Sequence, residues 1–510
     1  MPVLGYSVSL RVIGSVMAAA ILVIARRYLR KRRANPAGLP LPPGPPRLPL
    51  VGTLGINIGA PWLTYAEWGK TFGDLIYLEI LGMRLLVINS DAIAKELLDK
   101  RAATYSDRPQ VPMVTLMGWE FNVGFYNYND HWRKHRRAMH NVLKPDSIRS
   151  YRHLQTAKVH VLLRNLLCAP ERMEAHLRTF TASTIMIVLY GYEIAPQGDR
   201  FAEIADTASE MLTNSFFPGA ALVNALPFLR HLPSWFPGAG FKRYANICRA
   251  MTREMRDAPY DFVKKNSADG TGQHCIVQEM IENGEEVDVI KSVAGTSYAA
   301  AVETSSSAMS AFMMAMVLFP EVQAKAQAEL DCVTGGERLP TWEDRESLVY
   351  IEALYREVLR WCQVTPLGVP HLTKEDDVYD GYFIPKDTFV FTNIWAMTHD
   401  PRVYPEPMRF MPERFLTQDG KALTDDTAQQ QFGYGRRICV GKFLAEAAIW
   451  ITIVNVLACF KLAKAKDEKG KDIDFEPEWT PGVIIHPKEY PFHVAPRSPH
   501  AAELVQMTEG

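Results

Sequence analysis

The feature that most restricts the fold of this chain is a run of apolar residues at helical spacing from about Asp288 to Phe319, stopped by Pro320. A helix of roughly 30 residues is about 45 Å long, so it must cross the whole molecule. Its middle, Ala299-Ala300-Ala301, has small side chains, which leave room for something flat against the helix. Shorter helical patterns cover Asp91–Arg101, His153–Leu167, Phe201–Leu212, Glu321–Leu330 and Tyr350–Arg360. Leu75–Ile80 and Leu85–Ile88 read as a hairpin around Gly82-Met83, and Phe389–Thr392 and Val483–Ile485 as short strands. Helical patterns dominate, so the expected class is α+β, mainly α with small β-sheets.

The chain has 510 residues, more than the roughly 100–200 of an ordinary domain. No flexible linker occurs after residue 50, which fits one large globular unit. A net charge of −1 argues against nucleic acid as a partner. The seven cysteines, Cys168, Cys248, Cys275, Cys332, Cys362, Cys439 and Cys459, are odd in number and widely spaced. That is no disulfide framework; it fits a reducing compartment and leaves a thiolate free for chemistry.

The N-terminus carries a second signal. Val3–Ala25 is mostly apolar and Val12–Ala25 is free of charge, and Arg26, Arg27, Arg30, Lys31, Arg32 and Arg33 come directly after it. The length suits a spanning helix of about 20 residues, with Arg11 near its end able to snorkel. Positive charge after the apolar run reverses the order of a cleaved secretory signal and keeps the remainder of the chain cytoplasmic. An uncleaved single-pass anchor is therefore expected, ahead of a signal peptide or a mitochondrial transit peptide. Leu39 to Pro49 is rich in proline and reads as a stiff extended spacer. The expected organisation is an anchor (1–25), a basic cluster and Pro-rich hinge (26–49), one large body (50–497) and a C-terminal tail (498–510).

The segment Phe432-Gly433-Tyr434-Gly435-Arg436-Arg437-Ile438-Cys439-Val440-Gly441 carries the chemistry. Glycines at 433, 435 and 441 permit a tight loop with positive φ angles. Such a loop aims backbone N–H groups at one sulfur, stabilising a thiolate and tuning its donation to a metal. Phe432 would shield the sulfur from water, and Arg437 would reach an anionic cofactor edge. A buried structural cysteine in a glycine-rich turn explains a lone Cys-x-Gly but not the whole pattern.

That pattern, F-x-x-G-x-R-x-C-x-G with Ala445-Glu446 shortly after it, resembles the haem-binding loop of the cytochrome P450 family. The resemblance runs from the hinge near residue 42 to about residue 495. It implies the cytochrome P450 fold, a single large haem-thiolate catalytic domain behind the anchor. The implied cofactor is haem b, its iron ligated by Cys439, with Phe432, Gly435 and Arg437 around it. Three further motifs occur in the family's order. Glu357-Val358-Leu359-Arg360 and Arg414, in Met411-Pro412-Glu413-Arg414-Phe415, match a buried charged network that holds the cysteine loop. In Trp132-Arg133-Lys134-His135-Arg136-Arg137, Trp132 and Arg136 share one helix face, and their family counterparts contact a haem propionate. His371, in Val369-Pro370-His371, sits where the family carries an Arg or His to a propionate. The remaining charges of the Trp132–Arg137 motif are either a solvated face or a docking surface for an acidic electron donor.

Ala300-Ala301-Val302-Glu303-Thr304-Ser305 resembles the family's A-G-x-(D/E)-T-(T/S). The resemblance implies catalytic roles for Glu303 and Thr304, relaying protons through water to reduced dioxygen. The plainer alternative is a helical threonine bonded to the carbonyl one turn back. Ala301 replaces the common glycine, and its methyl narrows the groove.

The resemblance further implies a monooxygenase fed from NADPH through cytochrome P450 reductase, with cytochrome b5 as an optional second donor. It implies the endoplasmic reticulum membrane, the catalytic domain cytoplasmic. The family's substrate-facing segments map to Met113–Tyr128 (Leu116, Met117, Trp119, Phe121, Phe125), Leu212–Trp235 (Phe216, Phe217, Leu222, Leu226, Phe228), Thr365–Val369 and Val483-Ile484. Their apolar character suits a neutral lipophilic molecule. Leu229 to Lys242 resembles a segment of fungal, especially basidiomycete, members acting in secondary metabolism, which implies a terpenoid or aromatic natural product. Two other functional classes stay open: a haem-thiolate isomerase, dehydratase or peroxide-driven enzyme needing no reductase, and an inactive haem carrier.

Overall fold

The computed structural model describes residues 32–49, 51–195, 198–216 and 221–509. The expected anchor, Val3–Ala25, lies outside the described residues, as does Phe217. Among the described residues, the helices of eight residues or more are α1 (Pro61–Phe72), α2 (Asp130–Leu143), α3 (Arg152–Cys168), α4 (Met173–Tyr190), α5 (Arg200–Phe216), α6 (Gly240–Ala268), α7 (Val287–Leu318), α8 (Pro320–Thr334), α9 (Val349–Trp361), α10 (Lys442–Cys459) and α11 (Pro499–Gln506). The strands are β1 (Arg47–Leu48), β2 (Gly52–Thr53), β3 (Leu75–Ile80), β4 (Met83–Ile88), β5 (His371–Leu372), β6 (Asp377–Tyr379), β7 (Tyr382–Ile384), β8 (Thr388–Thr392), β9 (Phe460–Lys464) and β10 (Phe492–Pro496). Helices dominate and the sheets are small, as the sequence patterns indicate.

The long apolar run forms α7, of 32 residues, about 48 Å at 1.5 Å per residue. It is apolar nearly all round because it is buried nearly all round. Its first half contributes Ile290, Val293 and Val302 to one core, shared with Val142 of α2 and Ile185 of α4. Its second half contributes Met309, Phe312 and Met316 to another, shared with Leu162 of α3, Leu354 of α9 and Trp450 of α10. The small residues in its middle therefore stand where the two cores meet. Pro320 ends the run and opens α8, at the helix position where a missing N–H costs nothing. Among the described residues, α7 and α10 are long and apolar enough to cross a membrane, but 78% and 72% of their most apolar windows are buried inside the protein.

The main sheet has the order β1-β2-β3-β4-β8-β5, with β4 and β8 parallel. The β3–β4 hairpin turns at Leu81-Gly82, one residue earlier than the expected Gly82-Met83. Met83 is paired with Ile80, and both turn residues take positive φ, 47° and 81°, as a two-residue hairpin requires. The β8–β5 pairing sets His371 opposite Val390. The expected helix over Asp91–Arg101 starts as an α-turn capped by Ser90 and widens into a π-helix over Lys95–Lys100. Phe201–Leu212 lies within the longer α5.

Val483–Ile485 is not a strand. The Ile485 N–H donates to the Val364 carbonyl at 3.0 Å, and the Ile485 carbonyl accepts from the Ser307 hydroxyl of α7. Short apolar runs do not reveal their hydrogen-bond partners, and here the partners are a loop and a helix side chain. The Pro-rich segment runs along the body. Its prolines cannot donate, but the Pro40 and Pro43 carbonyls accept from Phe383 and Tyr77 N–H groups, both at 2.8 Å. The last segment is helical: α11 buries Ala501 and Val505, and Thr508 beyond it accepts two bonds from Arg164.

One charged network lies wholly inside. Arg360 donates to both oxygens of Glu357 at 2.7 and 2.8 Å, and neither side chain is exposed at all. Arg360 also donates to the Thr398 and Pro407 carbonyls, both at 2.9 Å. Glu357 accepts from the Met411 N–H at 2.7 Å and from Arg414 at 3.4 Å. Burial pushes the Glu357 carboxyl above its ordinary range, against the pull of Arg360, the Met411 amide and Arg414. Nearby, Gln431, its amide nitrogen turned toward them, donates to the Cys362 and Leu359 carbonyls at 2.8 and 3.0 Å, tying the cysteine loop to the end of α9. Arg360→Ala leaves Glu357 as a buried charge without its main partner, at a cost of about 3–5 kcal/mol. Chemical denaturation of the variant should show a loss of that size, with haem-depleted protein on purification.

Candidate active site

Cys439 sits in a loop closed by its own N–H donating to the Phe432 carbonyl at 2.7 Å. Gly433 and Gly435 take positive φ, 77° and 54°. At Gly435 a side chain would also meet the Leu98 carbonyl of the π-helix, with Cβ only 2.1 Å from the oxygen. Gly441 differs from the expectation of positive φ. Its φ is −83° and it caps the N-terminus of α10. A Cβ there would stand 3.9 Å from the Cys439 Sγ, in ordinary contact. Burial pushes the Cys439 thiol up, while the Gly441 and Lys442 N–H groups and the charges of Arg136 and Lys442 favour the thiolate. Protein surrounds Cys439, yet its side chain has open surface, and that surface faces an internal cavity.

The cavity, of about 200 Å³, lies between α7, α2, α4 and α10. Ala300 and Ala301 of α7 form part of one wall, and Met139, Leu143, Ile185 and Leu444 give an aliphatic end. Three guanidinium groups, from Arg108, Arg136 and Arg437, line it, with no Asp or Glu among the described lining residues. Their donors find backbone carbonyls instead. Arg136 donates to Ile438 at 2.6 Å, and Arg437 to Ser106 at 2.8 Å and Tyr126 at 2.6 Å. Arg108 donates to Val369 and Pro370, both at 2.7 Å, and to Gly124 at 3.1 Å. Arg437 also stacks on the Trp132 ring at 4.4 Å. Burial pushes all three down, Arg437 to about 10, and Arg108 well below its ordinary value with Arg437 beside it. Among the described residues none of the three has an acid within 4.0 Å. Buried charge of this kind is costly unless an anion answers it. A flat, mostly apolar group with an anionic edge and an iron for Cys439 fits this donor set, and haem is such a group.

Of the sequence-predicted residues, Trp132, Arg136, Arg437, Cys439 and Thr304 come together on the cavity wall. Phe432, Gly435, His371 and Glu303 are not on that wall. Phe432 packs into the core behind the loop, and Gly435 fits against Leu98. His371 is buried beside Arg108, and its Nδ1 donates to the Tyr105 carbonyl at 2.8 Å. Burial and Arg108 hold its ring well below the ordinary histidine range; a neutral ring so bonded offers its other nitrogen as an acceptor.

The Thr304 hydroxyl donates to the Ala300 carbonyl at 2.7 Å, and α7 runs unbroken through this turn. Glu303 points away from the cavity. Its Oε1 pairs with Arg178 of α4, and its Oε2 lies 3.0 Å from His486 Nε2. Burial pushes the Glu303 carboxyl up, but the His486 bond and the Arg178 charge outweigh it and hold the group below its ordinary value.

Sequence reasoning missed Arg108, whose only local signal is a charge between Asp107 and Pro109, and His486, far along the chain from its partner. It also missed Thr184 of α4, which lines the cavity with its buried hydroxyl unpartnered among the described residues. Among the proposed substrate-facing residues, Met117 and Trp119 are fully buried in the core and do not line this cavity.

Comparison with known proteins gives one family. The cytochrome P450 family model matches residues 42–494. Cytochrome P450 monooxygenase COX1 of Coprinopsis cinerea is 38% identical, aligned over 96% of this chain and 98% of its own length. Cytochrome P450 monooxygenase 98 of Postia placenta is 38% identical over 98% of this chain and 97% of its own. Tryptamine 4-monooxygenase of Psilocybe cyanescens is 36% identical over 95% and 97%.

The geometry at Gly435 gives a direct test of the loop. Gly435→Ala adds a methyl against the Leu98 carbonyl at a positive φ. A loss of about 1–3 kcal/mol is expected, read as a lower melting temperature, with weaker haem retention because the strain falls on the cysteine loop.

Proposed function

This chain belongs to the cytochrome P450 family, its relatives are monooxygenases, and from that premise we propose that it is a membrane-bound monooxygenase oxidising a neutral, lipophilic secondary metabolite, a terpenoid or aromatic product. One observation carries the reading: an otherwise free cysteine sulfur opens onto a cavity lined by three guanidinium groups, with no Asp or Glu among the described lining residues. Bound there, haem b supplies the redox chemistry that puts one atom of dioxygen into substrate and reduces the other to water. Cys439 would ligate the iron through Sγ, its charge held by the Gly441 and Lys442 amides. Arg108, Arg136 and Arg437, with Trp132, would grip the carboxylate edge. Thr304 would hold a water at the cavity wall, and Glu303 would move protons toward it.

The substrate class rests on the wall's chemistry. A cationic amine would find no carboxylate among the described lining residues, whereas a neutral molecule meets alkyl side chains. The resemblance of Leu229–Lys242 to basidiomycete enzymes of secondary metabolism supports the product class. Electrons would come from NADPH through cytochrome P450 reductase, with cytochrome b5 as an optional donor. Arg137 and Arg436 are exposed and unpaired among the described residues, which suits an acidic partner; Arg133 and Lys134 are engaged by Asp130 and Glu286. Exposed Leu222, Phe228 and Trp235 suit a body that touches the endoplasmic reticulum membrane beside its anchor.

A second reading, a haem-thiolate isomerase, dehydratase or peroxide-driven enzyme, is favoured by the position of Glu303 outside the cavity wall. NADPH and reductase separate the two. The monooxygenase consumes NADPH and dioxygen to form product, and turnover without NADPH would overturn that reading. The reduced protein with carbon monoxide should show the thiolate-ligated absorption band, and Cys439→Ser should lose it. Arg108→Gln and Arg136→Gln each remove a charged donor worth about 1.5–3 kcal/mol. Haem dissociation, measured by transfer to an acceptor apoprotein, should rise roughly tenfold or more in each.

A further inference from the structure

In the monooxygenase reading Glu303 passes protons inward, so it needs a source of them. Both of its oxygens face outward, into a polar seam between α4, α7 and the loop that ends at His486. The seam is built from matched faces. Glu174 and Arg178 lie one turn apart on α4, and Glu303, Ser307 and Ser310 lie along one face of α7. Arg178 pairs with Glu303 and with Asp206 of α5, at 3.1 Å from its Nε. Ser310 donates to Glu174 at 2.5 Å.

His486 is held rigidly in that seam. Its N–H donates to the Thr480 hydroxyl at 2.9 Å, and its carbonyl accepts from the Thr480 N–H at 2.8 Å. The residue before it is fixed to Val364 and to Ser307, one turn along α7 from Glu303. Its imidazole reaches Glu303 Oε2 at 3.0 Å while keeping 24% of its side chain exposed, against 21% for Glu303. The histidine and the acid thus stand together at the border of solvent.

We propose that His486 feeds protons from solvent to Glu303, as the outer half of a relay whose inner half is Thr304. The imidazolium Nε2–H passes its proton to the Glu303 carboxylate, giving neutral imidazole and carboxylic acid. The imidazole takes a new proton from solvent, and the neutral acid turns from the seam to give its own to a water at Thr304, so charge balances at each transfer. His486 acts through Glu303 and is a positioning residue. The charged and titratable groups around the pair are Arg178 and Glu174 from α4, Asp206 and, through Arg178, Glu210 from α5, and Tyr490 beyond Glu174.

The proposal rests on the monooxygenase reading, and the test separates the two. Full-length holoenzyme is reconstituted with reductase and NADPH, without added substrate. The readout is the share of electrons released as hydrogen peroxide instead of carried to water, measured from about pH 5 to 8. In the parent protein that share should rise with pH, with a solvent deuterium effect. In His486→Gln it should be high throughout and insensitive to pH, and water formation should fall on the order of tenfold or more. His486→Lys, which keeps a proton-donating cation of higher pKa, should move the pH limb upward. A His486→Gln protein with an intact carbon monoxide band and the parent's pH profile overturns the proposal. So does a flat profile in the parent, which decides the matter even if the variants do not fold. A lower melting temperature with an unchanged profile identifies His486 as merely structural and also overturns it. Absence of NADPH oxidation in the parent at every pH refutes the underlying reading instead.

Discussion

The buried Glu357–Arg360 pair is the interaction on which the rest of the site depends. It lies at the end of a helix otherwise packed by Leu354, Val358 and Leu359, a charged knot in an apolar part of the core. Its value lies in reach. One guanidinium and one carboxylate gather the Thr398, Pro407 and Met411 backbones and Arg414 from a stretch with almost no regular structure. That stretch leads into the cysteine loop, which Gln431 fastens to the same helix end. An apolar replacement could match the pair in stability, but it could not hold irregular backbone by its carbonyls and amides.

Charge at the cavity obeys the opposite logic. Around Glu357 both guanidinium groups bond its carboxylate; around the cavity three guanidinium groups donate to backbone carbonyls, with no Asp or Glu among the described lining residues. Arg136 is bonded to Ile438 beside the cysteine, Arg437 belongs to the loop itself, and Arg108 spans Gly124 and Val369-Pro370. The arginines thereby knit α2, the cysteine loop and the segment before β5 around one space. The protein bears their desolvation while folding, and a carboxylate-bearing cofactor would relieve it on binding, which would couple assembly of the holoprotein to the site's own electrostatics. Beyond the cavity wall, the seam of Glu174, Arg178, Glu303 and His486 balances acids against cations within reach of solvent, which is where a proton route must begin.

Much of this was legible in the sequence for a definite reason. A helix of α7's length declares itself by period, since 3.6-residue spacing and a terminal proline are local properties. The cysteine loop declares itself by glycines that its backbone needs, at 433 for φ and at 435 for φ and closeness to Leu98. Glu357 and Arg360 are three residues apart and pair within one turn. By contrast, Val483–Ile485 has a strand's composition and no strand partner, and Trp119 has a substrate contact's chemistry and a core position. Composition says how a segment wishes to be buried and leaves open what buries it.

The sequence by itself determined the fold class, the spine helix, the thiolate loop and the residues Trp132, Arg136, Arg437 and Thr304 that meet across the cavity. Only the tertiary structure decided that Arg108 joins them, that His371 turns to the Tyr105 carbonyl and that Glu303 looks outward. The physical reason is separation along the chain. Glu303 and His486 are 183 residues apart, and Arg136 and Ile438 are 302. Which polar groups meet at such distances is fixed by how helices stack on α7, and no local pattern of residues encodes it.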